Sequence, residues 1–141
     1  MRKIILAIAG AAILSGCSTE IVPVSQAIKA PPERIFKYQN PTKGDAVMTV
    51  VRDSGFVGGG CFTTVFLNGE RAAQLDPKEK VTFYVNSGTW VVGAAHEGKA
   101  LCATGKERQE REFTIKPSED KTLRVFTDNN GNVDIKPTTV K

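Results

Sequence analysis

Residues 61–70 read CFTTVFLNGE, and the way they fold decides what the rest of the chain can be. Phe62 to Leu67 is rich in β-branched and aromatic residues, the composition of a strand. The run leads straight into Asn68-Gly69, a pair that accepts the positive φ angles of a type I′ turn. A strand that folds back on a partner is predicted at this point.

Immediately upstream lies SGFVGGGC, residues 54–61. A phosphate-binding loop needs its glycines between a strand and a helix, with a lysine or a helix N-terminus to hold the charge. Here the glycines feed a strand and no helical period follows, so a nucleotide site of that kind is excluded. Gly58, Gly59 and Gly60 instead let the backbone bend sharply or pack closely just ahead of Cys61.

The same strand character recurs on both sides. AVMTVVRD (46–53), KVTFYV (80–85), TWVVGAA (89–95), REFTIK (111–116), KTLRVFTD (121–128) and NVDIK (132–136) are short and rich in Val, Thr and aromatics. Turn residues separate them. Asn86-Ser87-Gly88 and Asn129-Asn130-Gly131 mark reversals, and Asp76-Pro77 opens a turn. Leu123 and Val125 alternate with polar residues before the last reversal, as Val133 and Ile135 do after it. Residues 45–141 therefore read as one all-β domain, a small antiparallel β-sandwich or a partly open barrel. Phe66, Phe83 and Trp90 are expected in its core.

Residues 17–44 differ. They hold four of the seven prolines, and neither a period of two nor one of 3.6 persists. This stretch reads as a tether with a reach of roughly 30 Å if free. Its one apolar patch, Ile35-Phe36-Lys37-Tyr38, is expected to dock on the body.

Residues 1–16 have the layout of a secretory signal. Arg2 and Lys3 precede an uncharged run from Ile4 to Gly16 that is too short to span a bilayer. The run ends at Leu14-Ser15-Gly16-Cys17, which resembles the lipobox of bacterial lipoproteins. That resemblance implies cleavage after Gly16 and lipid on Cys17, with several acyl chains giving a stable membrane attachment. Ser18, rather than Asp, implies the periplasmic face of an outer membrane.

Loss of Arg2 and Lys3 lowers the formal charge from +4 to +2, so the basic balance of the full sequence is no nucleic-acid footprint. The sign-mixed run KERQERE (106–112) reads as a solvated strand face.

The groups that could carry chemistry are few. Lipidation of Cys17 leaves Cys61 and Cys102, an even number in an oxidising compartment, and a disulfide between them is expected. It would close a loop of roughly 40 residues and add something like 4 kcal/mol of stability in the chain-entropy model. A structural zinc takes four ligands, whereas Cys61, Cys102 and the single histidine, His96, offer three without a close-spaced pair. No metal and no cofactor are expected.

DSGFVGGGC (53–61), the pattern xNGxxAAxLDPxEKxTFYVxxGxW over 67–90 and FTDNNGNVDIKPTT (126–139) resemble a family of small proteobacterial outer-membrane lipoproteins. The likeness covers nearly all of residues 17–141. Some members carry the name 3-isopropylmalate dehydratase. That activity is not carried over, because such enzymes are far larger and hold a four-iron, four-sulfur cluster on three cysteines.

Two functions are weighed. The favoured one is a non-catalytic envelope module, anchored to the membrane by its N-terminal lipid and binding a protein, peptidoglycan or another glycan through loops or a sheet edge. The alternative is a small envelope hydrolase or thiol-redox enzyme using Cys61, Cys102, His96 or carboxylates such as Asp53 and Asp76. It requires those groups to converge in one cleft.

Overall fold

The computed structural model describes residues 19–55, 60–98, 102 and 107–141. Its strands are β1 (Ile28–Lys29), β2 (Ala46–Arg52), β3 (Phe62–Leu67), β4 (Glu70–Leu75), β5 (Glu79–Val85), β6 (Gly88–Glu97), β7 (Gln109–Ile115), β8 (Asp120–Thr127) and β9 (Val133–Pro137). The fold is all-β, with 3-10 turns in place of any longer helix among the described residues. Residues 1–18, which include the expected signal and Cys17, lie outside the described residues, as do Gly58 and Gly59.

Two sheets pack over one core. The first has the order β1-β5-β2-β8-β9, the second β4-β3-β6-β7. Alternation along each strand decides what faces inward. Met48 and Val50 of β2, Val81, Phe83 and Val85 of β5, and Leu123 and Val125 of β8 meet Val65 and Leu67 of β3, Leu75 of β4, Val92 of β6 and Ile115 of β7. Burying each such side chain contributes about 1.5–3 kcal/mol before chain entropy is counted.

The Asn68-Gly69 hairpin forms as its sequence predicts. Asn68 sits at φ 49° and Gly69 at φ 82°, and β3 pairs antiparallel with β4 across the turn. The Asn68 side chain also accepts the Val91 amide at 2.9 Å, which ties the turn to β6. Asn129-Asn130-Gly131 likewise joins the antiparallel pair β8 and β9. Asn86-Ser87-Gly88 does something different: it carries the chain from β5 in one sheet to β6 in the other, a corner and not a hairpin.

Three details depart from the sequence reading. The sheets are not wholly antiparallel, since β2 lies parallel to β8 (Thr49 opposite Thr122) and β1 parallel to β5. Phe66 is buried but lies outside the core cluster. Its neighbours Val65 and Leu67 point inward, so its ring faces outward, where the guanidinium groups of Arg71 and Arg108 cover it at 5.5 and 4.4 Å. Trp90 packs against the core from its margin, with the indole N–H donating to the Asn86 carbonyl at 2.8 Å.

Residues 19–44 do not hang free. They form a strap that runs along the sandwich and satisfies its edges. Glu20 bridges Ser54, β1 pairs with the edge of β5, and Ile35 bridges Ala73 at the edge of β4. Pro32 and Pro41 each open a 3-10 turn, where a missing amide costs nothing. The strap ends at Gly44, where a Cβ would lie 2.6 Å from the Val85 backbone, so only glycine lets the chain enter β2.

Candidate functional site

Between its contacts with β5 and β4 the strap lifts away from the sheet and leaves a groove. Ala30 donates its amide to the Lys80 carbonyl at 2.9 Å, and Tyr84 donates its amide to the Tyr38 carbonyl at 2.9 Å. Between those two points the chain detours over β4, with the Phe36 amide on the Ala72 carbonyl at 2.8 Å. The space left has a volume of about 320 Å³. Lys80, Thr82 and Tyr84 of β5 line one wall, and Lys29, Pro32 and Ile35 of the strap the other.

The groove's frame is held by named contacts. Arg34 donates to both oxygens of Glu79, at 2.6 and 2.7 Å, and to the Gln74 carbonyl at 2.9 Å. Its guanidinium also lies 5.0 Å from the centre of the Phe62 ring. The hydrogen bond to Glu79 raises the Arg34 pKa above its ordinary value, against the pull of burial. Burial alone would push the Glu79 carboxyl up, but Arg34 and the Asp76 amide outweigh it and hold the group below its usual range. Gln39 closes the far end, donating to the Thr82 carbonyl at 2.9 Å. Next to it Tyr38, at φ 60°, meets Phe83 and Trp90 edge-on, with ring centres 6.4 and 5.4 Å away. A bulky residue with positive φ is strained by roughly 1–3 kcal/mol, and the two aromatic contacts offset part of that cost.

This arrangement presents two ammonium groups, a hydroxyl, a phenol and apolar carbon along one shallow trough. Lys80 also donates to the Val24 carbonyl at 2.7 Å. Such a surface can hold an elongated polar ligand by hydrogen bonds and ring contact.

Of the sequence-singled residues, Cys61, Cys102, His96 and Asp53 gather at one end of the sandwich, each held by partners within the fold. Cys61 and Cys102 form a disulfide with Cα atoms 5.5 Å apart, as their count predicts. His96 sets Nδ1 3.2 Å from the Thr63 hydroxyl and Nε2 3.0 Å from the Thr127 hydroxyl, so its ring bridges the two sheets. Asp53 is buried and chelated by Arg124, and it accepts from the Thr19 hydroxyl at 3.0 Å. Asp76 sits apart at a turn, 3.8 Å from Arg34 and half exposed. Arg52, which the sequence did not bring forward, is buried beside them. It donates to the Cys61 and Leu75 carbonyls at 2.7 and 2.6 Å and so ties β2 to both neighbouring strand ends of the other sheet. Burial lowers its pKa to about 10, against the attraction of Asp76 and Glu79, so it stays charged at neutral pH.

Among the described residues, no group of three or more His, Cys, Asp or Glu is placed to hold a metal ion, and no helix is long and apolar enough to cross a membrane. Comparison with protein-family models, curated proteins and solved structures returns no match. The groove itself carries no sequence signature: Lys29, Pro32 and Ile35 meet Lys80 and Tyr84 only because the strap docks.

Proposed function

We propose that this chain is a non-catalytic binding module of the cell envelope, held by lipid on Cys17 at the periplasmic face of an outer membrane. The observation that carries the reading is the disulfide. Of three cysteines in the sequence, Cys61 and Cys102 pair with each other, and the one left over is Cys17 of the LSGC site. A disulfide of this kind belongs to an oxidising compartment. The binding role rests on the strap groove, whose cationic and hydroxyl groups along an apolar wall suit a short glycan or an extended peptide. Cys61, Cys102, His96 and Asp53 are occupied with structural partners, which favours binding over catalysis.

The test is the mass and location of the mature protein. Expressed with its own N-terminus, it should begin at Cys17, carry acyl mass there and partition with membranes, while Cys17→Ser stays unprocessed or is released. A mature protein that begins elsewhere and carries no lipid overturns the anchor. A photo-crosslinker at Gln39 should give a discrete envelope adduct in intact cells that one at Thr89 does not; equal labelling from both sites removes the groove from the proposal.

A further inference from the structure

The first described residue, Thr19, is fixed to the body. Its amide donates to the Thr127 carbonyl at 3.3 Å, its hydroxyl donates to Asp53 at 3.0 Å, and it accepts the Thr127 amide at 3.1 Å. Gly55 packs against it so closely that a Cβ there would lie 3.1 Å from the Thr19 methyl group. Glu20 and Ser54 exchange amide–carbonyl bonds of 2.8 and 3.0 Å directly behind. Thr19 is thus anchored where β2 and β8 end side by side.

Strand directions make that corner one end of the whole sandwich. β2 and β8 run parallel toward it, β5 runs away from it, and the His96–Thr127 contact brings the end of β6 there too. The hairpin Asp128–Asn132 projects from the same end. Asp128 makes it rigid, accepting the Asn130 and Asn132 amides at 2.9 Å each while its own amide donates to the Asn132 carbonyl at 2.8 Å. The opposite end carries Asn68-Gly69 and the start of β6. β6 alone is ten residues long, which separates the two ends by roughly 30 Å.

Only Ser18 stands between Thr19 and Cys17, and two residues of extended chain span at most about 7 Å. That is close to the thickness of a headgroup layer, roughly 5–8 Å per leaflet. We propose, on the basis of the lipid anchor read above, that the protein has no stand-off from its membrane. The sandwich stands on its Thr19 end, with the Asp128–Asn132 hairpin in the headgroup layer and the Asn68-Gly69 end pointing into the periplasm. The partner of this surface is a phospholipid bilayer. The tip suits it chemically: Asp128, Asn129, Asn130 and Asn132 are all polar, and the hairpin brings no large apolar side chain to enter the hydrocarbon. The strap groove then opens sideways, parallel to the membrane plane.

The experiment uses the native lipoprotein in phosphatidylethanolamine–phosphatidylglycerol vesicles containing a lipid with a nitroxide on its headgroup. Trp90, the single tryptophan, lies toward the distal end and should be quenched little. Asn130→Trp should add emission that is quenched several-fold more strongly, and Thr89→Trp should add emission that is not. A flexible six-residue Gly-Ser insert between Ser18 and Thr19 should abolish the extra quenching while vesicle binding persists. Protein that fails to bind vesicles or lacks acyl mass sinks the anchor reading itself. Protein that is acylated and bound, yet shows equal quenching at Asn130→Trp and Thr89→Trp, overturns the upright orientation alone. Quenching at Asn130→Trp that survives the insert shows that the short tie does not set the orientation, and overturns it as well.

Discussion

Arg34 and Glu79 are joined by two parallel hydrogen bonds, and through them a strap of irregular chain is clamped across the gap between two sheet edges. The bidentate geometry is the strong form of this pairing, and both side chains are largely shielded from water.

Breaking that clamp is the most direct test of strap docking. Arg34→Ala removes the pair, the bond to Gln74 and the cover over Phe62, and should cost about 2–4 kcal/mol. Limited proteolysis should then cut within residues 28–40 well before the body is attacked. Unaltered thermal stability together with an uncut strap would mean that the clamp contributes nothing.

Acid should loosen the same contact. The Glu79 carboxyl is held below its ordinary value, and so are Asp45 by the Ser87 amide, Glu119 by the Lys116 amide and Asp134 by Arg111. A group whose folded value is lowered adds stability that is complete above its unfolded value and is lost as the pH falls through the folded one. The melting temperature should therefore drop on acidification through and below the usual carboxylate range. Glu79→Gln should melt lower than wild type at neutral pH, and the gap between them should narrow in acid. A gap that stays constant across that range would contradict the assignment.

Gly69→Val should destabilise the protein by about 1–2 kcal/mol, because a β-branched residue resists the φ of 82° that this turn requires. Chemical denaturation with an unchanged midpoint would remove the type I′ turn from the account.

The disulfide closes a separation of 41 residues. Cys61→Ala and Cys102→Ala should each lose about 4 kcal/mol in the chain-entropy model. The double variant should cost little more than either single one, since one substitution already opens the bridge. Alkylation of the oxidised mature protein should find no reactive thiol before reduction and two after it. A fast-reacting Cys61 would instead revive thiol chemistry.

What the sequence discloses here follows the range of the interactions. Asn68-Gly69 and the alternation of Leu123, Val125, Val133 and Ile135 are local signals, and each matches the structure. The disulfide was countable from three cysteines, one of them set aside by its place in the LSGC sequence. β4, ERAAQL, stayed unnamed because alanine is a poor strand former; it pairs because Ala72 and Ala73 fit closely inside, with a bulge opposite Val65 and Phe66. The parallel partnership of β2 and β8 is set by which strands meet across some seventy residues, a choice no window of sequence contains. The groove was hidden for a related reason. Residues 19–44 have no period of their own, and their backbone bonds are completed by the edges of β4 and β5.

Those completed edges have a consequence for the protein's life in a crowded compartment. A bare strand at the margin of a sheet is a template on which another chain can grow, and most sheets blunt it with charge, proline or a bulge. This protein uses its own leading segment as the guard. A version beginning at Gly44 would keep most of the buried core yet expose two adjacent open margins. It would be expected to self-associate edge to edge, making residues 19–43 a safeguard against aggregation.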